Sequence, residues 1–119
     1  MAEKVEKENE FIIDYNNNKL RLKFNNINNQ SIKISIQDFI NAPNYYYENS
    51  FNINGLFKKS KVLKACNDIE EILNHFIYLI KTNQYLITKI NENEYDLIFR
   101  ISFFFEINDV FFELYKIRA

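Results

Sequence analysis

Residues 67–83 read NDIEEILNHFIYLIKTN and carry the clearest helical pattern of the chain. Their apolar residues recur at helical spacing, at Ile69, Ile72, Leu73, Phe76, Ile77 and Ile80. A single apolar stripe of this kind is typical of a helix that packs against a core. Asn67, with Glu70 three residues later, predicts the start of the helix, and Asn83 predicts a left-handed stop.

Strand-like segments lie on both sides of this helix, and most of them alternate apolar and polar residues with the period of a half-buried strand. The segments predicted as strands are residues 11–15, 19–24, 31–37, 45–51, 85–90, 95–105 and 110–117. Residues 53–63 predict a shorter helix, and residues 106–109 predict the last turn. The predicted fold class is α+β and mostly β: an antiparallel β-sandwich with a two-helix insertion between the fourth and fifth strands.

Length and composition predict one domain, with residues 1–9 as a flexible lead-in and residues 10–119 as a single globular head. Lys and Arg number 15 against 16 Asp and Glu, whereas proteins that bind polyanions non-specifically are strongly basic. One Gly excludes the glycine-rich phosphate loops, and one Cys excludes an intrachain disulfide. We expect no enzymatic activity and no cofactor or metal.

Asparagine is unusually frequent, with 19 residues, seven of which lie in two short runs at 16–18 and 25–29. Such runs are read either as low-complexity sequence or as turns. Because they separate strongly patterned segments, and because Asn tolerates the left-handed conformation of tight turns, we predict turns at both runs.

Two residues carry side chains that are common in catalytic sites. His75 lies off the main apolar stripe of the helix and has no second His to pair with, so we interpret it as a partly buried structural residue rather than a general base. Cys66 precedes a helix start, where thiols become acidic. A small buried thiol that fills a corner is the more common arrangement.

The only basic cluster lies in residues 58–64, at Lys58, Lys59, Lys61 and Lys64. It is either a patch for an acidic partner or a phosphate backbone, or the solvated side of a short helix whose other side is buried. The sequence leaves both interpretations open.

Aromatic residues occur in runs at 45–47 and 103–105. Since side chains alternate along a strand, each run must place aromatic rings on both faces of the sheet. The second face is either covered by helices or exposed to a partner. The candidate self-association hairpin comprises Phe104, Phe105, Ile107 and Val110. Ile107 is an apolar residue in a predicted polar turn, which makes it the candidate docking residue.

The order of these elements resembles the head domain of the X-ray-repair cross-complementing scaffold superfamily, and most of all the heads of its centriolar cartwheel scaffold members. The segments that fit are residues 45–51, 53–63, 68–82, 85–90, 98–105 and 110–117. The resemblance implies a small β-sandwich with an inserted helix-turn-helix. In the centriolar members a bulky hydrophobic residue at the last hairpin, more often aromatic, inserts into a neighbouring head. Ile107 is the matching position.

The leading hypothesis is therefore a non-enzymatic interaction or self-assembly head of a larger scaffold. The alternative is an accessory subunit of a large complex that binds a protein or nucleic-acid partner through the basic residues 58–64. We expect protein partners, including a second copy of the chain, with nucleic acid disfavoured and no membrane. The expected location is the cytoplasm, and the resemblance implies the cytoskeleton or centriole.

Overall fold

A computed structural model describes residues 5–118, with the side chains described from residue 9 onward. Within that range the elements follow in the order β1 Val5–Tyr15, β2 Asn18–Ile27, β3 Ser31–Gln37, β4 Tyr45–Asn52, α1 Ile53–Lys59, α2 Lys61–Lys64, α3 Ile69–Lys81, β5 Tyr85–Asn91, β6 Glu94–Phe103 and β7 Glu106–Arg118. The fold is α+β and mostly β, as the alternating pattern predicts.

The strands form one antiparallel sheet with the order β1-β2-β3-β4-β7-β6-β5. This sheet curls, so that its two halves face each other and make the layers predicted as a sandwich. The rings of Phe24 in β2 and Phe99 in β6 are 6.3 Å apart across the core. At the two free edges, the backbone nitrogen of Lys89 in β5 donates to the hydroxyl of Tyr15 in β1 at 3.1 Å.

Helix α3 fills the opening of the curled sheet. The ring of Phe76 lies 5.8 Å from that of Phe24 and 4.8 Å from that of Phe99, so it joins the two halves of the core. The N-cap is Asp68 rather than the predicted Asn67, because the Asp68 carboxylate accepts a hydrogen bond from the backbone nitrogen of Glu71 at 2.9 Å. The predicted left-handed stop at Asn83 is confirmed, with φ at 57°.

The buried face of α3 differs in one residue from the predicted stripe. Leu79 is buried, whereas Ile77 is only half-buried and packs at the margin of the core.

The predicted asparagine turns differ in extent. The turn at Asn16 and Asn17 is confirmed, but β2 continues through Asn25 and Asn26 as far as Ile27. Those residues keep strand pairing on both sides, with β1 and with β3, so the turn is confined to the three residues 28–30. Strand β1 begins at Val5 and pairs with this extended part of β2. The first four residues of the predicted lead-in lie outside the described residues.

The first inserted helix is two helices and not one. Ser60 ends α1 and begins α2 with an extended backbone, and its hydroxyl accepts a hydrogen bond from the backbone nitrogen of Val62 at 3.1 Å. Asn52 caps α1 by accepting from Gly55 at 2.7 Å, which confirms the predicted polar cap. The insertion therefore presents its lysines on two short helices joined at an angle.

The last turn also lies elsewhere. It consists of Phe104 and Phe105, because Phe103 pairs with Glu106 and Ser102 with Ile107. The predicted turn at 106–109 is wrong, since those four residues belong to β7 and pair with residues 100–103 of β6. The polar residues there occupy the exposed positions of β7 beside the buried Val110.

Candidate interaction surface

The β6–β7 hairpin extends beyond the sheet as a two-stranded arm. Strand β5 pairs with β6 only as far as Phe99, and β4 pairs with β7 only from Tyr115 onward. Within the described chain, residues 100–109 therefore pair as strands only with one another, and one further backbone bond runs from the nitrogen of Arg100 to the oxygen of Gln84 at 3.0 Å. The arm carries its turn away from the main body of the sheet.

Two fully exposed aromatic residues, Phe104 and Phe105, form the end of this arm; we call this pair the tip. Their exposed fractions are 87% and 104%. The ring of Phe104 packs edge-on against the ring of Phe103, with 4.7 Å between the ring centres. Among residues 9–118, no other aromatic ring contacts Phe104 or Phe105. Exposing two adjacent large apolar rings is unfavourable in water, so the tip has the chemistry of a docking element.

Phe104 also adopts a left-handed backbone conformation, with φ at 55°. A residue with a Cβ pays roughly 1–2 kcal/mol for that conformation. Every other non-glycine residue with positive φ in residues 5–118 is an asparagine, namely Asn16, Asn17, Asn28, Asn29 and Asn83. The chain thus uses a tolerant residue at its other left-handed positions and an aromatic one only at the tip. Backbone strain of this kind is concentrated at functional sites.

The four lysines of residues 58–64, which we call the basic segment, lie beside the arm. They line one wall of an open groove of about 470 Å³, and Phe103, Glu106 and Asn108 line the other. Lys61 also borders the tip itself. The two candidate sites that the sequence presents separately therefore form one continuous surface.

Within the basic segment, Lys59 has a structural role. Its Nζ donates to the backbone oxygen of Phe111 at 2.8 Å and lies over the rings of Phe51 and Phe112, at 5.4 and 5.0 Å from their centres. Lys59 thus provides a hydrogen-bond donor to the edge of β7 in the part of that strand that does not pair with β4. The other three lysines, Lys58, Lys61 and Lys64, are exposed and form no ion pair within the described residues.

The other predicted hairpin residues have different environments. Ile107 is 66% exposed but lies within β7, paired with Ser102, and so flanks the tip instead of forming it. Val110 is 4% exposed and packs in the core. Val110 is therefore no part of a binding surface, because its side chain points into the curled sheet together with Phe112.

His75 and Cys66 are both partly buried. Burial lowers the pKa of His75, whose ring stacks on Tyr78 at 6.3 Å. Burial, with the charges of Glu71 and Asp68, raises the pKa of the Cys66 thiol. In residues 5–118 no three His, Cys, Asp or Glu side chains converge in a way that would hold a metal ion.

Sequence reasoning missed the outer face of β5, β6 and β7, which is exposed and partly apolar. Leu86, Ile98 and Phe111 lie in register across the three strands, with Leu86 and Phe111 exposed at 59% and 47%. The signal was present, because alternation of buried residues in β6 and β7 sends the intervening ones outward. The helices, however, cover only the inner face.

The described part of the chain contains no helix that is both long and apolar enough to cross a membrane.

Comparisons with known proteins identify a fold and no family. No protein-family model matches the chain, and no curated protein is significantly similar to it. Among solved structures, the chain is similar to the crystal structure of the head domain of human CCDC61, with a TM-score of 0.68. The two sequences are 9% identical, and the aligned region covers 94% of this chain and 98% of that one. The likeness extends over the whole head and shows a shared fold.

Proposed function

We propose that this chain is a non-enzymatic self-assembly head that engages another head through the tip. The observation that carries the proposal is the exposed phenylalanine pair at the end of the arm, in which Phe104 has a strained left-handed backbone. The resemblance to centriolar scaffold heads supports it, since those heads associate through a bulky residue at the last hairpin. By the same resemblance, we propose a scaffold of the cytoskeleton or centriole as its setting.

The energetics favour a weak association. Burial of a phenylalanine side chain contributes roughly 1.5–3 kcal/mol, so two rings contribute about 3–6 kcal/mol. Association costs about 4 kcal/mol or more in lost translational and rotational freedom. A single contact through the tip therefore needs support from the neighbouring lysines or from several heads on one scaffold.

Sedimentation velocity over a wide concentration range tests this function. We expect the wild-type sedimentation coefficient to rise with concentration, and the double variant Phe104→Asn/Phe105→Asn to remain monomeric because the apolar contact is lost. Ile107→Glu should weaken the association, since Ile107 flanks the tip. A matched control is Ile40→Asn, which removes an exposed apolar residue, 61% exposed, in the loop before β4. Monomeric wild-type protein at every concentration would contradict the proposal.

A second candidate function is that of an accessory subunit that binds a different protein. The observation in its favour is that three lysines beside the tip are exposed and lack ion pairs within the described chain. A strictly monomeric head that captures one defined acidic partner, and loses it on reversal of Lys58, Lys61 and Lys64, would favour this second function.

A further inference from the structure

Strand β7 has a hydrogen-bonding edge that no other strand of the described chain covers. Strand β4 pairs with β7 only from Tyr115 onward, so the stretch from Ile107 to Phe111 has β6 on one side and no strand on the other. We call residues 107–111 of β7 the open edge. Its backbone groups are the part of the arm that a second chain can reach directly.

The contacts around β7 show which backbone groups of the open edge face outward. In an antiparallel pair, successive residues point their N–H and C=O groups alternately towards the partner strand and away from it. The backbone oxygens of Phe111 and Glu113 turn away from β6, because each accepts a hydrogen bond from a side chain outside the β6–β7 hairpin. Ile107 and Asp109 precede Phe111 by four and two residues, so their N–H and C=O groups face the same way.

The protection of this edge is incomplete. Lys59 and Asn49 supply donors to the edge only at Phe111 and beyond it. Among the described residues, no strand and no side chain bonds to the outward backbone groups of Ile107 and Asp109. Unpaired edge groups of this kind are a template for pairing with another chain. An added strand would satisfy two donors and two acceptors here.

The groove of about 470 Å³ between the basic segment and the arm runs beside the open edge. Glu106 and Asn108 line it from β7, so the groove lies on the inner face of the arm. The exposed lysines Lys58, Lys61 and Lys64 line its other wall and form no ion pair within the described residues. Glu106 is the single carboxylate among the described lining residues, so the groove carries an excess of positive charge.

The two faces beside the open edge differ in chemistry, and this defines the side chains of a matching strand. Side chains of an added strand alternate between the faces. On the inner face they meet the exposed lysines, which favour carboxylates. On the outer face they lie beside Ile107 and Phe111, which are exposed at 66% and 47% and favour apolar side chains. Asp109 lies between these two residues and pairs with Arg100 at 3.7 Å.

We propose that the open edge binds an extended segment of a partner protein as an additional β-strand, in which acidic and apolar residues alternate and the acidic side chains pair with the exposed lysines of the groove. The inference rests on the second candidate function, that of an accessory subunit, and gives it a binding mode. In strand addition, backbone hydrogen bonds supply affinity and alternate side chains supply specificity. The ammonium group of Lys59 limits the added strand at the Phe111 end.

A polypeptide matches this surface better than a nucleic acid does. The open edge presents N–H donors and C=O acceptors in alternation, and a peptide backbone offers the complementary row. A phosphate backbone offers acceptors alone, which would engage the lysines and leave the edge unpaired.

Titration with synthetic peptides tests the binding mode. The probe is an end-capped, fluorescein-labelled heptapeptide in which four valines alternate with three glutamates, and the control peptide has the same composition with its glutamates consecutive. We expect the alternating peptide to bind about tenfold more tightly, because it places all its carboxylates on the groove side. It should also slow hydrogen exchange at the amides of Ile107 and Asp109, since those N–H groups become hydrogen-bonded.

N-methylation of the probe separates strand pairing from attraction between charges. One version is methylated at the valine nitrogens and the other at the glutamate nitrogens, so only one version loses the donors that face β7. We expect that version to bind about tenfold less tightly than the other, because its backbone hydrogen bonds are lost. Equal binding of the two methylated peptides would overturn the proposed strand pairing.

Charge reversal tests the groove. Lys61→Glu should weaken binding of the alternating peptide by about threefold or more, because it places a negative charge beside the carboxylates of the peptide. The matched control is Lys81→Glu, which reverses an exposed lysine in the last turn of α3 and should leave the affinity unchanged. Equal affinities of the two variants would contradict a contact in the groove.

The remaining outcomes separate this inference from the function on which it rests. Absence of peptide binding at millimolar concentration, or unchanged exchange at Ile107 and Asp109 in its presence, would overturn the inference. The accessory-subunit function then stands if the head still captures one defined acidic partner that lysine reversal releases, and fails with the inference if it does not. Tighter binding of a seven-nucleotide oligouridylate than of the alternating peptide would overturn the inference in favour of nucleic acid.

Discussion

At the scale of single residues, asparagine and phenylalanine differ in the free energy that each costs at a left-handed position. Phe104 has a φ of 55°, close to the values of Asn28 and Asn29 at the turn between β2 and β3. Asparagine tolerates this conformation because its short side chain bonds locally to the backbone. A phenylalanine at this position lowers the stability of the fold. Residues with such backbone strain cluster at functional sites.

We predict that Phe104→Asn stabilises the isolated head by about 1 kcal/mol, because it relieves the left-handed strain. Urea denaturation measures the change. Phe104→Ala serves as the control, since alanine keeps the strain and should give no such gain. A loss of stability in the asparagine variant would mean that the Phe104 ring supports the fold.

Alkaline pH tests a second residue, Tyr95. Burial first, and then the neighbouring hydroxyls of Tyr47 and Tyr15, raise the pKa of Tyr95 to about 12. In the unfolded chain it ionises near pH 10, so between pH 10 and 12 the unfolded state binds fewer protons and stability falls as pH rises. We predict that Tyr95→Phe flattens this part of the stability–pH curve. An unchanged slope would contradict the assignment to Tyr95.

At the scale of elements, the short helices α1 and α2 lie beside the part of β7 that has no pairing with β4. Strand β4 leaves β7 after Glu48, and side chains replace the missing strand. Lys59 donates to the backbone oxygen of Phe111, and Asn49 donates to that of Glu113 at 3.0 Å. Capping an edge with polar side chains is a common protection against strand-to-strand aggregation. It also fixes the groove between the basic segment and the arm.

We predict that Lys59→Ala destabilises the head by about 1–2 kcal/mol, from the loss of one charged hydrogen bond and of cation–π contacts. Lys58→Ala is the matched control. It removes an exposed lysine of the same helix and should change stability by less than about 0.5 kcal/mol. Equal thermal unfolding of the two variants would contradict the structural role of Lys59.

Sequence patterns predict an element well where the preferences of its own residues determine its structure. They predict it less well where pairing with distant strands determines its structure. The alternation of β3, the stripe of α3 and the asparagine turn at Asn16 follow from short-range preferences. The extension of β2 past Asn25 depends on partners on both sides, which no local pattern reveals. The turn at Phe104 was missed because three consecutive aromatic residues have the preferences of a strand. The tip is visible only from the strand register.

At the scale of the whole molecule, the exposed basic and acidic residues lie on different parts of the surface, and so do the apolar tip and a small cavity. The chain as a whole is almost neutral, with a net charge of −1. One end of the head carries exposed lysines and the tip, and the outer face carries carboxylates and that cavity. A curled sheet stiffened by α3 holds both surfaces in fixed positions.

The most direct test of the self-assembly function is a dilution series of the uniformly ¹⁵N-labelled head, followed by NMR amide shifts. Self-association through the tip predicts concentration-dependent shifts at residues 103–107 and 58–64 that are absent from Phe104→Asn/Phe105→Asn, while the β1–β2 turn at Asn16 remains unchanged. Spectra that are identical from micromolar to millimolar concentration, or shifts confined to a surface away from the tip, would contradict it.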